Sequence, residues 1–330
     1  MRNGSQAVRC LTLDRTDEKC YFWRISQMGL RPHSFFPQDR YPMIRKLAYV
    51  IAFLIFAAIV IREPESTADP AASPRDGAKE DLSRIDYPSL RQIDWRPHFI
   101  RPNETLESLF GGDWVTVARF NRIDRRHTYP GMTIKVPVDM AAASGYTALP
   151  LEYEPARRYR RYILISLTEQ WIGAYENGKL KFSMPAATGK KGHETPTGLF
   201  RVDARHRTHT SSLYQTDDQS AQYPMDFALR FHIGSDNVAY WIHARDLPGK
   251  PASHGCVGLF DEPMQNRMYG IPAKPVLHDS KRLYDWAVGE AEYGEDSGEL
   301  ELLDNGPVVE VTGENPVYHP APLKPMVASR

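Results

Sequence analysis

The longest apolar stretch in the chain is Leu47–Ile61, fifteen residues without a polar interruption. As a helix it covers roughly 22 Å, short of the ~30 Å hydrocarbon core, and Ile44 with snorkelling Arg45, Lys46 and Arg62 extends it. The absence of a polar face argues against a buried helix of a soluble domain and for a membrane anchor or the apolar part of a leader, with Ser66-Thr67-Ala68 as a cleavage-compatible site. Residues 1–46 hold nine Lys or Arg against three in 62–80, so the positive-inside rule leaves the N-terminus in the cytoplasm and exports the chain beyond Ile61.

After the apolar run the pattern changes three times. Residues 63–97 carry Pro, Ser, Ala and charge with little periodicity, which predicts a tether. Over 98–139 Leu106, Leu109 and Phe110 recur at helical spacing behind a cap at Asn103 or Thr105. Trp114, Val117, Ala118 and Phe120 predict a second helix, and Pro130-Gly131 turns into an alternating strand at Thr133–Pro137, giving the order strand, helix, helix, strand. A second linker is expected at 140–158. From 159 the signal is β: strands at Tyr162–Leu167, Trp171–Tyr175 and Lys179–Met184 (the last two joined by Asn177-Gly178), Thr197–Val202, Phe227–Ile233, Ala239–His243 and Pro307–Val311. Residues 261–304 are more helical and 313–330 read as a loose Pro-rich tail. The polar segment 203–226 reads as a strand-free lid. Without an alternating strand–helix pattern a doubly wound parallel sheet is excluded, and the class is mainly β with a small α+β module.

Composition adds little. Lysine plus arginine and aspartate plus glutamate both number 41, so no basic excess points to nucleic acid. No phosphate loop, dinucleotide fingerprint or paired-cysteine spacing is present, and no cofactor or metal is expected. His206 and His209 stand three apart but lack a third ligand. Cys10 and Cys20 precede the membrane segment, so Cys256 is the lone thiol of the exported part.

That thiol sits in Ser253-His254-Gly255-Cys256-Val257, thirteen positions after His243 in Trp241-Ile242-His243-Ala244. A free thiol near pKa 8.5 is about 3% ionised at neutral pH, so attack on a carbonyl needs a base; a histidine folded back onto the cysteine predicts a thiolate–imidazolium pair. The amides of His254, Gly255 and Cys256 are candidate oxyanion donors.

His243 together with Ser253-His254-Gly255-Cys256, and upstream Gln170-Trp171, Gly189 and Thr195–Phe200, resembles the L,D-transpeptidase (YkuD-type) catalytic domain over 159–312. The 98–139 unit resembles a LysM module through Asn103-Glu104-Thr105-Leu106, Asn121, Pro130-Gly131 and Val136-Pro137. The resemblance implies a YkuD-type mixed β-sheet sandwich with a catalytic cleft. It implies ping-pong acyl transfer on peptidoglycan tetrapeptide stems, giving 3→3 cross-links or attachment to another amine, including a protein amine, and acylation by carbapenems. Cys256 is then the nucleophile and His243 the general base and acid. His254 and Gly255 give oxyanion amides, and Ser253 and Ala244 orient the histidine. The whole would be an inner-membrane-anchored enzyme with residues 1–43 as a cytoplasmic tail or over-extended start, 44–62 as the transmembrane helix and the catalytic region in the periplasm or cell envelope, binding stems and glycan. A stem-trimming L,D-carboxypeptidase of the same fold and a non-catalytic wall anchor are the alternatives. One departure stands out: where many relatives have Arg two residues after the cysteine, this chain has Gly258, leaving Arg245 and Lys250 as nearby cations for a carboxylate.

Overall fold

The computed structural model describes residues 80–216 and 219–323. The apolar run expected to cross the membrane lies outside the described residues, among which no helix is long and apolar enough to cross a bilayer.

The chain first makes two 3-10 turns, Leu82–Arg84 and Pro88–Gln92, around a short strand β1 (Ile85–Asp86). Strand β2 (Trp95–Phe99), helices α1 (Leu106–Phe110) and α2 (Trp114–Asn121) and strand β3 (Thr133–Pro137) come next, with β2 and β3 antiparallel. Thr105 caps α1 by accepting from Ser108 N at 3.1 Å. Buried Asn121 locks α2 to β3: its Nδ2 donates to the carbonyls of Val117 and Lys135, and its Oδ1 accepts from Lys135 N.

After α3 (Met140–Ser144) come two five-stranded sheets. The first contains β4 (Tyr162–Ser166), β5 (Trp171–Glu176), β6 (Lys179–Pro185) and β7 (Gly198–Arg201). The second contains β8 (Ala204–Gln215), β9 (Gln222–Ile233), β10 (Ala239–Arg245) and β11 (Val257–Phe260). Helices α4 (Glu262–Tyr269), α5 (Asp279–Val288) and α6 (Glu290–Tyr293) precede β12 (Glu301–Leu302), β13 (Val308–Thr312) and β14 (Val317–Tyr318). The sheet orders are β6-β5-β4-β13-β7 and β11-β10-β9-β8-β12, antiparallel except for the parallel pairs β4–β13 and β10–β11. Asn177 and Gly178, both at positive φ, make the β5–β6 turn.

Alternation explains the core. Ile163, Ile165, Ile172 and Ala174 of the first sheet meet Leu229, Phe231, Ile242, Val257 and Leu259 of the second, with Leu283, Tyr284 and Ala287 of α5 in the same cluster. Strand β4 is buried on both faces because Leu149 and Ala156 cover its outer residues Tyr162 and Leu164. The 140–158 segment, expected as a linker, is therefore packed.

Two further expectations change. Part of the supposed tether is core: Leu82, Ile85, Tyr87 and Leu90 share one apolar cluster with the α1–α2 module and with Ala187, Leu247, Phe260 and Leu277. Part of the supposed loose tail pairs with it, since β14 runs antiparallel to β1. The described residues belong to one compact unit, so the module is braced against the sheets. Arg122, fully buried, stacks 3.9 Å from the Tyr87 ring and donates to the Glu169 carbonyl; Arg119 forks onto Asp279, and Arg125 onto Glu262.

Candidate active site

Strand β10 positions His243, and the turn into β11 positions Cys256. The parallel register pairs Ile242 with Val257 and His243 with Gly258. Alternation then sets Trp241, His243 and Arg245 on the same face as Cys256 and Gly258. One strand spacing across and two residues along separate the His243 and Cys256 Cα atoms by roughly 8 Å, within reach of an imidazole and a thiol.

The turn before Cys256 is held from three sides. Gly255 has φ +115°, and a Cβ there would come within 2.6 Å of the Tyr240 ring, so only glycine fits. The Ser253 hydroxyl accepts from Gly255 N–H at 3.1 Å and donates to the Cys256 carbonyl. Thr195 Oγ1 donates to the Gly255 carbonyl at 2.8 Å and accepts from Gly189 N–H. Beneath the turn, buried Gln170 accepts from Thr188 N–H and donates to its hydroxyl. The Thr188 carbonyl in turn accepts from the amides of Ala252 and Ser253. In the sequence Gln170 stands out only as part of a motif; in the fold it ties the first sheet to the nucleophile turn.

Of the three candidate oxyanion amides, that of Gly255 donates to Ser253 Oγ, and the described residues offer no acceptor to those of His254 and Cys256. Ser253 orients the turn around the sulfur. The Ala244 carbonyl accepts from His243 Nδ1 at 2.6 Å, which leaves the lone pair on Nε2.

Electrostatics corrects the second expectation. Burial, then the Arg245 charge, pushes His243 down to about 3, against the opposing hydrogen bond to Ala244. Cys256 is part-exposed but crowded by protein on most sides, and burial pushes its thiol up despite a hydrogen bond to the Trp241 backbone and the Arg245 charge. Both shifts favour the uncharged forms, a thiol and an imidazole.

The 203–226 segment does cover this region, but as strands: β8 and β9 form a long antiparallel hairpin. Tyr214 near its tip stacks on the His254 ring, centroids 4.2 Å apart at 15°, and His193 meets that ring edge-on. Burial and the nearby Lys190, His193 and Arg245 push His254 down to about 4. His206 and His209 lie on β8, Nδ1 to Nδ1 at 3.0 Å, with His209 against Trp241. A cavity of about 300 Å³ lined by Arg207, Tyr284 and Asp296 lies apart from these residues.

Of the cations expected to serve a carboxylate, Lys250 is engaged by Glu80. Arg245 lies across Gly258: a Cβ on Gly258 would fall 2.4–2.8 Å from the Arg245 Cβ, Cγ and Cδ. No sequence motif points to Asp124, which is fully buried between the module and the end of β10. Its Oδ1 accepts from His127 N and Nδ1, and its Oδ2 from Leu247 N and Gln265 Nε2. The adjacent Asp246 accepts from Gln265, Arg126, Tyr223 and Tyr269. Asp124, His127 and Asp246 come close enough to resemble a metal cluster, but protein donors already occupy the carboxylate oxygens.

Residues 160–309 match the family model of the YkuD L,D-transpeptidase catalytic domain. No curated protein matches the chain. Among solved structures, an L,D-transpeptidase (Yku) from Stackebrandtia nassauensis is 19% identical over 62% of this chain and 69% of its own, with a TM-score of 0.34. An L,D-transpeptidase from Mycobacterium smegmatis is 16% identical over 47% of this chain and 59% of its own (TM-score 0.32). L,D-transpeptidase 1 of Mycobacterium tuberculosis is 18% identical over 47% and 62% (TM-score 0.29). The match spans about three fifths of the length of the two mycobacterial proteins.

Proposed function

We propose that this chain, whose residues 160–309 match the L,D-transpeptidase catalytic domain, is a cysteine acyltransferase acting on peptidoglycan peptide stems. The observation that carries the reading is the turn at 253–256. It is fixed by the Ser253 hydroxyl and lies one strand from a histidine whose Nδ1 is committed to a carbonyl.

In this reading Cys256 Sγ attacks the carbonyl of the penultimate residue of a tetrapeptide stem as its proton passes to His243 Nε2. Charge develops on the carbonyl oxygen, facing the amides of His254 and Cys256. Collapse breaks the amide bond; the departing amine takes the proton from His243, leaving a thioester on Cys256. An acceptor amine of a second stem then attacks, gives its proton to His243, and releases the thiol. The chemistry requires no cofactor. The apolar run at 47–61 supports a membrane anchor with this domain on the envelope side, where stems are found, and the 98–139 unit supports docking on glycan.

The test is incubation of the full chain with purified disaccharide-tetrapeptide, products read by mass spectrometry. Cross-linked dimers with loss of one terminal residue are the expected outcome, abolished in Cys256→Ala. Tripeptide monomers alone would move the assignment to a carboxypeptidase. Wall binding with no covalent product from either protein would make the chain an anchor.

A further inference from the structure

Arg122 ends α2 in the left-handed region, at φ +54°, and is wholly buried against the first sheet. Its guanidinium lies 3.9 Å from the Tyr87 ring centroid and 5.0 Å from that of Trp171. Carbonyls hold it more closely than a carboxylate does. Nη1 donates to the Phe120 carbonyl at 2.6 Å and Nε to the Glu169 carbonyl at 3.1 Å, whereas Glu169 Oε2 stands 3.5 Å away. That carboxylate is served by Ser89, through both its N–H and its hydroxyl. A buried cation is a poor source of stability, because apolar replacement of a buried ion pair often costs nothing. A guanidinium fixed between two carbonyls has a geometric task instead.

The Glu169 carbonyl belongs to the peptide bond into Gln170, which stands at φ +48° in the turn between β4 and β5. A residue other than glycine is strained there and persists where its surroundings fix it. Gln170 grips Thr188 twice, accepting from its N–H at 2.8 Å and donating to its hydroxyl at 2.6 Å. The Thr188 carbonyl accepts from the amides of Ala252 and Ser253, both at 3.0 Å. Ser253 then holds the Gly255 amide and the Cys256 carbonyl. We propose, resting on the acyl-transfer reading above, that Arg122 is a positioning residue for that chemistry. By fixing the Glu169 carbonyl it sets Gln170, and through Gln170 and Thr188 it aims the amides that face the developing oxyanion. Displacements of about 1 Å in such a constellation are enough to lose most of its effect on rate. Arg122 lies outside the matched residues 160–309. The α1–α2 module is therefore part of the catalytic apparatus, and the sheets without it keep the thiol but lose the aim of the turn.

Two rates on the full chain separate positioning from a merely structural role. Acylation of Cys256 by a carbapenem needs the amides of the turn, whereas alkylation by iodoacetamide needs only an accessible thiol. Arg122→Met is made in a Glu169→Gln parent, so that no unpaired buried charge remains. Both rates are read well below each protein's unfolding midpoint. The ratio of acylation to alkylation should fall about ten- to hundredfold from the parent to the double variant. Arg122→Lys in the native background keeps the charge without the planar fork, and the ratio should fall there too. A ratio unchanged in whichever of these variants folds, whatever its stability, would overturn the proposal. A double-mutant cycle gives the second reading: with Gln170→Ala already in place, Arg122→Met should lower the ratio by less than about threefold, because both residues act on one relay. Losses that multiply in full would overturn it as well. A native protein that iodoacetamide alkylates and no carbapenem acylates would instead sink the acyl-transfer reading, and this proposal with it.

Discussion

Replacing Asp124 by alanine removes the carboxylate that holds the end of β10 to the α1–α2 module. Asp124 is fully buried and accepts four hydrogen bonds at 2.6–2.9 Å, from His127 N and Nδ1, Leu247 N and Gln265 Nε2. Of the donors left behind, Gln265 keeps Asp246, and His127, part-exposed, can turn to water. The Leu247 amide, wholly buried, has nowhere to go and alone costs about 1–3 kcal/mol. Loss of the ion pair with His127 raises the sum to about 3–5 kcal/mol. For a folded unit of this size that is a fall in Tm of roughly 6–20 °C. The pH dependence is also defined. Burial pushes Asp124 up, but the His127 charge and the hydrogen bonds outweigh it and hold the carboxyl below its usual 3.8. Burial pushes His127 down, but the Asp124 charge and hydrogen bond outweigh it and hold the imidazole above its usual 6.5. A depressed acid stabilises above its unfolded pKa and loses that contribution as pH falls. A raised histidine stabilises below its unfolded pKa and loses it as pH rises. The difference between native and Asp124→Ala proteins should therefore be widest between about pH 4 and 6.5 and shrink on either side. Thermal unfolding by circular dichroism across pH 3–9 reads both quantities. A fall under about 2 °C, or a difference independent of pH, would refute the idea that the module braces the catalytic strand.

The site itself sets three other outcomes. Gly258→Ala should displace the Arg245 stem, cost about 1–3 kcal/mol by overpacking, and slow acylation of Cys256, read by denaturation and by stopped-flow fluorescence. Ser253→Ala should strand the buried Gly255 amide and loosen the turn, lowering the acylation rate about tenfold or more with the Cys256 thiol still titratable by a disulfide reagent. Because His243 is held down at about 3, acylation should keep its rate from pH 8 down to about pH 5. Iodoacetamide alkylation, which tracks thiolate, should inflect above the ordinary thiol pKa. Since a depressed histidine binds its proton less well folded than unfolded, stability should also decline as pH drops from 6.5 toward 3.

The legible parts of this protein are those where a local pattern meets one demand. Strands β4 to β6 show as branched apolar runs around Asn177-Gly178, and Thr105 reads as a cap because the side chain satisfies its own helix. β8 and the start of β9 read as strand-free because much of β8 faces solvent, and polar residues at those positions leave no alternation to detect, whereas Phe227–Ile233 reads as a strand. The packing of 80–93 is hidden since its apolar residues are spaced by irregular 3-10 turns. At the site, the motif singles out His243, Ala244, Ser253, His254, Gly255 and Cys256 as candidates but not the state of the thiol. Burial decides that, and burial belongs to the assembled sheets. The part played by Asp124 is beyond sequence reasoning because its partners Leu247 and Gln265 are distant in the chain, and Arg245, visible in the sequence as a nearby cation, takes a path that only Gly258 across the strand explains.

The central claim is that Cys256, fed by His243, accepts an acyl group. Incubating the full chain with a carbapenem and mapping the modified peptide by mass spectrometry tests it most directly. The account calls for a single adduct on Cys256, absent in Cys256→Ala and at least about a hundredfold slower to form in His243→Ala, as loss of a general base requires. A native protein that stays unmodified after prolonged exposure, or an adduct on another residue, would contradict it.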